Sequence, residues 1–410
     1  MSRSRPKLLV AGSFPVFPPQ GGGQVRIFGL YSALAAHGVD VEIVSLVAVE
    51  ERGGVAEIAP GVREWRVPMT AEHHRAEYLL GARAGVPVRD VGLALHADLT
   101  PAYGEALATI AGSSVAAVAS HPFAQPALAA ATTLPLIYEA HNVETDLKAA
   151  MLAESDAADE LIDAVRAVEG ACCATASHTI VCSREDGERL GELFGLPAER
   201  TVVVANGVDP AAVPFAGAEL RMQRRRTLGL ADAPLALFLG SWHEPNLAAV
   251  RDVLAAAETL RAVRFLVVGS AGLAFAEVPV PPNVDLCGIV DAGFVQSVLG
   301  LASVALNPMR WGSGTNLKML DYALAGVPIL STRFGARGLG LEAGVHYEAV
   351  EAGELAAGLI ALHALPADAV AQRTRAAAER VRERFAWDAI AARWRAHPAL
   401  RELLEGAAVT

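Results

Sequence analysis

The sequence is poor in the features that mark several protein classes. Only four cysteines occur in 410 residues, Cys172, Cys173, Cys182 and Cys287, and their spacing fits neither a disulfide framework nor a zinc site. They read as reduced thiols, which places the protein in the cytoplasm. No uninterrupted apolar span reaches the roughly 18 residues that a membrane-crossing helix needs, so none is expected. Arg3, Arg5 and Lys7 precede a short apolar run cut off by Pro15, Pro18 and Pro19, which fits a buried first strand better than a signal peptide. Positive charge is in deficit, 34 Lys+Arg against 45 Asp+Glu for a net charge of −11, and without a long basic run no nucleic-acid partner is expected. The one local exception, Arg221-Met222-Gln223-Arg224-Arg225-Arg226, reads as the solvated face of a helix near a linker. There is no Asp-x-Asp pair and no His/Cys/Asp cluster with metal-ligand spacing, so neither a metal nor a cofactor is called for. G-x-S-x-G, Walker A and Cys-His constellations are also missing.

What is present is ample apolar material, 53% of the chain, in a length that suits two domains. In the first half, residues 7–11 read as a strand and 12–23 as a loop. A helix follows with Ile27, Leu30, Tyr31 and Leu34 on one face, and then a strand over 39–46. This is a βαβ unit, whose strands lie parallel in one sheet. Further strands are predicted at 62–67, 115–119, 134–138, 178–182 and 201–204. The second half repeats the alternation, with strands at 234–240, 264–269, 284–288, 303–307, 327–331 and 346–350. Residues 367–404 read as helical, with Trp387 and Trp394 docking a terminal helix. Asn206-Gly207 is a turn signal between the halves. The expected domains are therefore 1–207 and 208–385, with 386–410 packing back on the first.

Ligands of open parallel sheets bind beyond the carboxyl ends of strands. Three polar groups fall there in the first half: Ser120-His121, Glu139-Ala140-His141-Asn142 and Ser183-Arg184-Glu185. His121, Glu139, His141 and Asn142 have the makings of a site, although His141 and Asn142 also suit a helix cap, Ser183 suits an N-cap better than a ligand role, and His121 stands before Pro122, which forces an extended backbone. The loop Pro18-Pro19-Gln20-Gly21-Gly22-Gly23 lets a polar ligand approach backbone amides, and Arg26 adds a positive charge for an anion or faces solvent. The second half is organised around residues 307–321. There a strand stops at Pro308, Gly312 and Gly314 form a tight loop, and a helix is predicted from near Thr315, with Leu317, Leu320 and Leu324 on one stripe and Gly326 at its end. Its first amides and dipole offer an anion site open to a phosphate, and Asp321, two turns in, suits two sugar hydroxyls.

With these motifs in order, the sequence resembles a family four glycosyltransferase of the GT-B fold over nearly its whole length. Residues 19–23 with Arg26 are similar to the family's glycine loop, Ala140-His141-Asn142-Val143-Glu144 to its "AHNVE" segment, and Asn206-Gly207-Val208-Asp209 to its "NGVD". Residues 312–318, continuing through Asp321 to Val327-Pro328, resemble its "GSGTRLK…EA…AGxPV" signature. The resemblance implies two Rossmann-like parallel-sheet α/β domains facing each other across a cleft. It implies a nucleotide-diphosphate sugar as donor, an acceptor that is a small molecule, glycan or lipid, and retention at the anomeric carbon without a metal. Gly314, Thr315 and Asn316 would lie against the diphosphate and Asp321 on the ribose. Ile289 would meet the base. Gly22, Gly23, Asn206, Ser241, Arg310 and Gly312 complete the expected donor site. His121, Glu139 and Lys318 are the expected catalytic residues, and Arg26, His141 and Asn142 lie on the acceptor side. Two departures stand out. The family's two-glutamate motif has Ser313 and Asp321 here, and the loop Ser241-Trp242-His243-Glu244-Pro245-Asn246 lacks a fixed cation, leaving Lys318, Arg310 and Arg26 to offset the leaving diphosphate, Lys318 foremost. The same donor site would serve a nucleotide-sugar 2-epimerase, and a non-catalytic protein of this fold would also account for the missing cations. A lipid acceptor would bring peripheral membrane contact, for which residues 71–89 are the candidate. The oligomeric state is open.

Overall fold

The structure is a computed structural model that describes residues 5–152, 157–230, 233–312 and 315–406. The chain forms two compact units, Met1–Gly207 with Trp387–Thr410, and Val208–Ala386.

The first unit is built on eight strands: β1 (Lys7–Gly12), β2 (Asp40–Val47), β3 (Gly54–Ala59), β4 (Val62–Pro68), β5 (Ala116–Ser120), β6 (Leu136–Ala140), β7 (His178–Val181) and β8 (Thr201–Val203). They lie in the order β3-β4-β2-β1-β5-β6-β7-β8. Helices cover both faces, so successive residues of β1 are all buried: Leu8 and Val10 join Tyr31 and Leu34 on one face, while Leu9 and Ala11 join Tyr103 and Leu107 on the other. Every pairing is parallel except β3 with β4. The sequence reading missed β3 because this edge strand is mostly exposed and carries no alternation of buried residues. The strand order reverses between β1 and β5, which makes their carboxyl ends a topological switch point.

The end of the chain completes this unit. Trp387 packs where Gly29 and Gly207 lack side chains; a Cβ on either glycine would lie 2.3 Å and 2.5 Å from the indole. Trp394 is buried edge-on against Tyr31, with ring centroids 6.2 Å apart.

The second unit has six strands, β9 (Leu235–Leu239), β10 (Arg264–Val268), β11 (Val284–Gly288), β12 (Val304–Asn307), β13 (Ile329–Ser331) and β14 (Glu348–Ala349), all parallel in the order β11-β10-β9-β12-β13-β14. Its switch point lies between β9 and β12. Phe238, Phe265, Val267 and Leu306 form its core with Val250 and Val253 of the Glu244–Thr259 helix.

Two expectations fail here. The arginine-rich run is not a solvated face: on the Ala218–Thr227 helix, Arg221 and Arg225 are buried, because their four-residue spacing turns both onto the protein side. Arg225 is held by Ser303 Oγ at 2.5 Å and by the Ala233 carbonyl. The helix expected from Thr315 begins only at Lys318 and ends at Leu324. Its C-terminal signal is real, since Gly326 takes φ +71° and Val327 N–H bonds the Tyr322 carbonyl at 3.1 Å. Among the described residues no single helix is long and apolar enough to cross a membrane.

Candidate functional site

The switch point of the second unit holds a cavity of about 360 Å³, lined from the loops after β9 and β12 and from the start of the Lys318–Leu324 helix. Of the sequence-derived residues, Ser241, Gly312, Thr315, Asn316, Lys318 and Asp321 line it. Gly312 takes φ +136°, a backbone shape that disfavours a side chain. Gly314 lies outside the described residues.

Lys318 and Asp321 are three residues apart on that short helix, and both are ionisable groups without a charged partner among the described residues. Lys318 Nζ donates to Asn246 Oδ1 at 2.8 Å and sits 4.3 Å from the centroid of the Phe238 ring. No carboxylate among the described residues pairs with it, and burial pushes its pKa down to about 7. The Asp321 carboxylate meets no hydrogen-bond donor among the described residues, and burial pushes its pKa up to about 6. An anion beside the lysine and hydroxyl donors beside the aspartate would satisfy both groups at once.

The backbone contributes less than expected. Met319 N–H already bonds the Asn316 carbonyl at 3.0 Å, and Leu320 N–H the Leu317 carbonyl at 2.9 Å. The Asn316 side chain is tied to the Gly335 carbonyl at 3.0 Å. Two amides of the helix start are thus already taken, and the side chains of Lys318 and Arg337 supply the positive charge at the cavity. Arg310 does not help: its guanidinium makes a two-pronged pair with Asp252, Nε to Oδ2 at 3.0 Å, and it does not line the cavity. The cation that sequence reasoning missed is Arg337, which lines the cavity, donates to the Gly312 carbonyl at 2.8 Å and lies 3.8 Å over the Phe334 ring. Its signal was a cation in the loop beyond the carboxyl end of β13. Ile289 follows the end of β11, is exposed, and does not line the cavity.

The switch point of the first unit gathers a second cluster. His121 after β5 and His141 after β6 have rings 3.8 Å apart, and His141 Nε2 is 3.1 Å from Ser120 Oγ. Gly23 lies against the pair: a Cβ there would be in ordinary contact with each ring at 3.7 Å and tight only against Phe14, at 3.2 Å. A Cβ on Gly22 would meet nothing within 4 Å. His121 is not simply extended: φ is +68° with ψ 155°, a strained shape held by its N–H to the Glu139 carbonyl at 3.1 Å. Its Nδ1 is buried without a hydrogen-bond partner among the described residues. Burial pushes the His121 pKa down, and burial with His121 alongside pushes His141 down to about 4; the two rings meet at a tilt of 31°.

Four expected roles change in this unit. Glu139 is fully buried, with Oε1 accepting from Arg26 Nε at 2.9 Å and Oε2 from the Tyr31 hydroxyl at 2.8 Å. Burial alone would raise its pKa, but His141, Arg26 and Tyr31 outweigh that and hold it well below the ordinary carboxylate range. A carboxylate so engaged is no proton acceptor. Arg26, 2% exposed, faces neither solvent nor an anion site; it pairs with Glu139 and donates to Asn206 Oδ1 at 3.0 Å. Asn142 donates to Glu144 Oε1 at 3.1 Å, and neither it nor His141 caps the Glu144–Leu152 helix. That cap is Glu169, which accepts from Glu144 N–H at 2.7 Å and Thr145 N–H at 2.8 Å. Ser183 is an N-cap, accepting from Asp186 N–H at 3.1 Å.

Two family models match. "Glycosyl transferase 4-like domain" covers residues 21–207, and "Glycosyl transferases group 1" covers residues 233–364. No protein of curated function matches the sequence. Sucrose-phosphate synthase from Thermosynechococcus elongatus superposes with a TM-score of 0.76 at 17% identity, over 98% of this chain and 100% of that one. Anabaena HepE in complex with UDP-glucose gives a TM-score of 0.65 at 14% identity, over 98% and 100%. An α,α-trehalose-phosphate synthase from Burkholderia xenovorans, in complex with glucose-6-phosphate, gives 0.62 at 16%, over 97% and 99%. At such identities the solved structures speak for the fold, two parallel-sheet α/β domains of the GT-B kind, and the family models for the activity. The chain belongs to the glycosyltransferases, with a 4-like domain in its N-terminal half and a group 1 domain in its C-terminal half.

Proposed function

We propose that the protein moves a sugar from a nucleotide-diphosphate donor to an acceptor hydroxyl, with retention at the anomeric carbon and without a metal, as a family four enzyme. One observation carries this reading: a single cavity holds a lysine and an aspartate three residues apart that have, among the described residues, neither a counter-anion nor a hydrogen-bond donor respectively. A diphosphate answers the first and the ribose diol of a nucleoside answers the second. In the reaction the bond between the anomeric carbon and the diphosphate oxygen breaks. The bond to the acceptor oxygen forms on the same face, and the acceptor's proton passes to the departing diphosphate. Lys318 and Arg337 offset the charge that grows on that leaving group, so catalysis comes from orientation and electrostatics rather than from a protein base. His121, buried at its Nδ1 and backbone-strained, is the group of the first unit assigned to the transferred sugar or the acceptor. Glu139 and Arg26 hold the frame around it.

Solved neighbours carry UDP-glucose or glucose-6-phosphate, so UDP-sugars are the first donors to try. The test is a panel of UDP-, GDP-, ADP- and dTDP-sugars, with and without a chelator. The expected result is slow hydrolysis or transfer with one base, indifferent to the chelator, giving a product with the donor's anomeric configuration. An epimeric nucleotide-sugar from donor alone would identify a 2-epimerase instead. Tight nucleotide binding with no turnover of any donor would overturn the transfer reading.

A further inference from the structure

The second unit has another, larger cavity, of about 950 Å³, at the opposite ends of its strands. Pro234, Val263, Ser303 and Pro328, which line it, stand at the amino ends of β9, β10, β12 and β13, whereas the donor cavity opens at the carboxyl ends. Its volume is at the upper end of the roughly 300–1,000 Å³ usual for small-molecule sites. The walls are mainly apolar, with Phe215, Val304, Leu359, Leu362 and Leu365 among them.

One wall residue does not belong in an apolar room. Arg221 lines the cavity and is 5% exposed. Its guanidinium makes one side-chain hydrogen bond among the described residues, Nη2 to the Ala325 carbonyl at 3.0 Å, and its Nε is buried with no acceptor. No carboxylate among the described residues pairs with it. Glu219 and Asp368 also line the cavity, but both are exposed and, among the described residues, neither forms an ion pair with Arg221. Burial, and then the neighbouring charge of Arg224, push the Arg221 pKa down to about 10. Arg225, one turn along the same helix, shows the contrast, since a hydroxyl and a carbonyl satisfy it. Burying a cation is tolerated when an anion meets it, and removing such a partner leaves a large penalty.

We propose that this cavity binds a fatty carboxylate, its anionic head on Arg221 and its hydrocarbon chain against the apolar walls, at a site separate from the donor's. The buried guanidinium of Arg221, distinct from the exposed Arg375 and His363 that also line the cavity, selects a negative head, and Arg presents the donor geometry that a carboxylate fits. The apolar walls, which a free inorganic anion would leave uncovered, select the tail. The proposal does not depend on the donor reading.

The experiment is calorimetry of the full chain with decanoate, with 1-decanol as the neutral head control and acetate as the tail-less control. Decanoate is expected to bind one to one, at least tenfold tighter than decanol, with acetate showing no heat. Arg221→Met keeps the side-chain volume and should cost decanoate at least tenfold while leaving decanol unchanged. Ala371→Trp, which fills the cavity from its rim, should abolish both. UDP binding should be the same in both variants, which shows that they are folded. Equal affinity for decanoate and decanol, binding by acetate alone, or decanoate binding indifferent to both substitutions would overturn the proposal. The head-group comparison on the unmodified protein stands even where a variant fails to fold.

Discussion

A lysine kept near neutrality by burial should make nucleotide binding take up a proton. Lys318 has a pKa of about 7 in the free protein, against an ordinary value of 10.5. A diphosphate placed beside it favours the charged form and returns the pKa toward the ordinary range. Above about pH 8 the free lysine is mostly neutral and the bound one mostly charged, so binding takes up close to one proton. The sign is fixed by the pKa rising on binding: affinity falls as pH rises. Between about pH 7 and about pH 9 the protonated fraction of the free lysine drops roughly fiftyfold, which is about 2.3 kcal/mol at about 1.4 kcal/mol per tenfold change. Below about pH 6 a second limb appears, because Asp321, with a pKa of about 6, becomes protonated and loses its acceptor capacity toward hydroxyls. UDP affinity should therefore peak between the two values. The assay is calorimetric titration with UDP in buffers of different ionisation enthalpy, where the heat difference counts protons. At about pH 8.5 a phosphate with a second pKa near 6 is already fully ionised, so the uptake reports the protein. In Lys318→Met the uptake should vanish, and the protein should become more resistant to heat because no lysine then has to give up its proton or its hydration on folding. A UDP affinity that stays level from about pH 7 to about pH 9, or an uptake that survives in the methionine variant, would refute the reasoning.

Other substitutions separate the donor site from its frame. Asp321→Ala should weaken donor binding by about 1.5–3 kcal/mol, the scale of hydrogen bonds to a charged group, and unchanged calorimetric affinity would remove Asp321 from the site. Arg310→Ala should leave UDP affinity within about twofold, since its guanidinium is engaged by Asp252; a large loss would bring Arg310 back into the site. Glu139→Gln strands the Arg26 charge in the core and should lower folding stability by about 3–5 kcal/mol in a denaturant titration; lost turnover at full stability would instead favour a direct chemical role. Trp387→Ala empties the space left by Gly29 and Gly207 and should cost about 3–5 kcal/mol on the same measurement, with a small loss indicating that the end of the chain is only loosely seated.

Local chemistry made much of this molecule legible in its sequence. Buried parallel strands announce themselves as apolar runs, so β1 and β9 stand out, and Gly326 marks its helix end because only a glycine takes φ +71° there without strain. Lys318 and Asp321 were recognisable as a cation and a carboxylate at the start of a helix beyond a strand. What could not be read depends on partners far along the chain. Arg26 and Glu139, 113 residues apart, looked like site residues because their sequence neighbourhoods are polar, and only the fold reveals that they neutralise each other in the core. Arg310 was similarly spent on Asp252, 58 residues away, while Arg337 lay outside any glycine motif that would have drawn attention to it. The Arg221–Arg226 run misled because four charges in six residues look solvated, and periodicity alone does not say which side of a helix meets the protein. The exposed strand β3 had no hydrophobic signature to detect.

The wedge of Trp387 into the Gly29–Gly207 recess bears on the order of events during synthesis. Residues up to Gly207 leave the ribosome long before the indole that finishes their packing, and the whole second unit is made in the interval. At about 5–20 residues per second, the first unit waits roughly ten to forty seconds with that recess unfilled. The later-made unit can therefore reach its final packing before the earlier one does, and a nascent chain halted short of Trp387 would present the recess to chaperones.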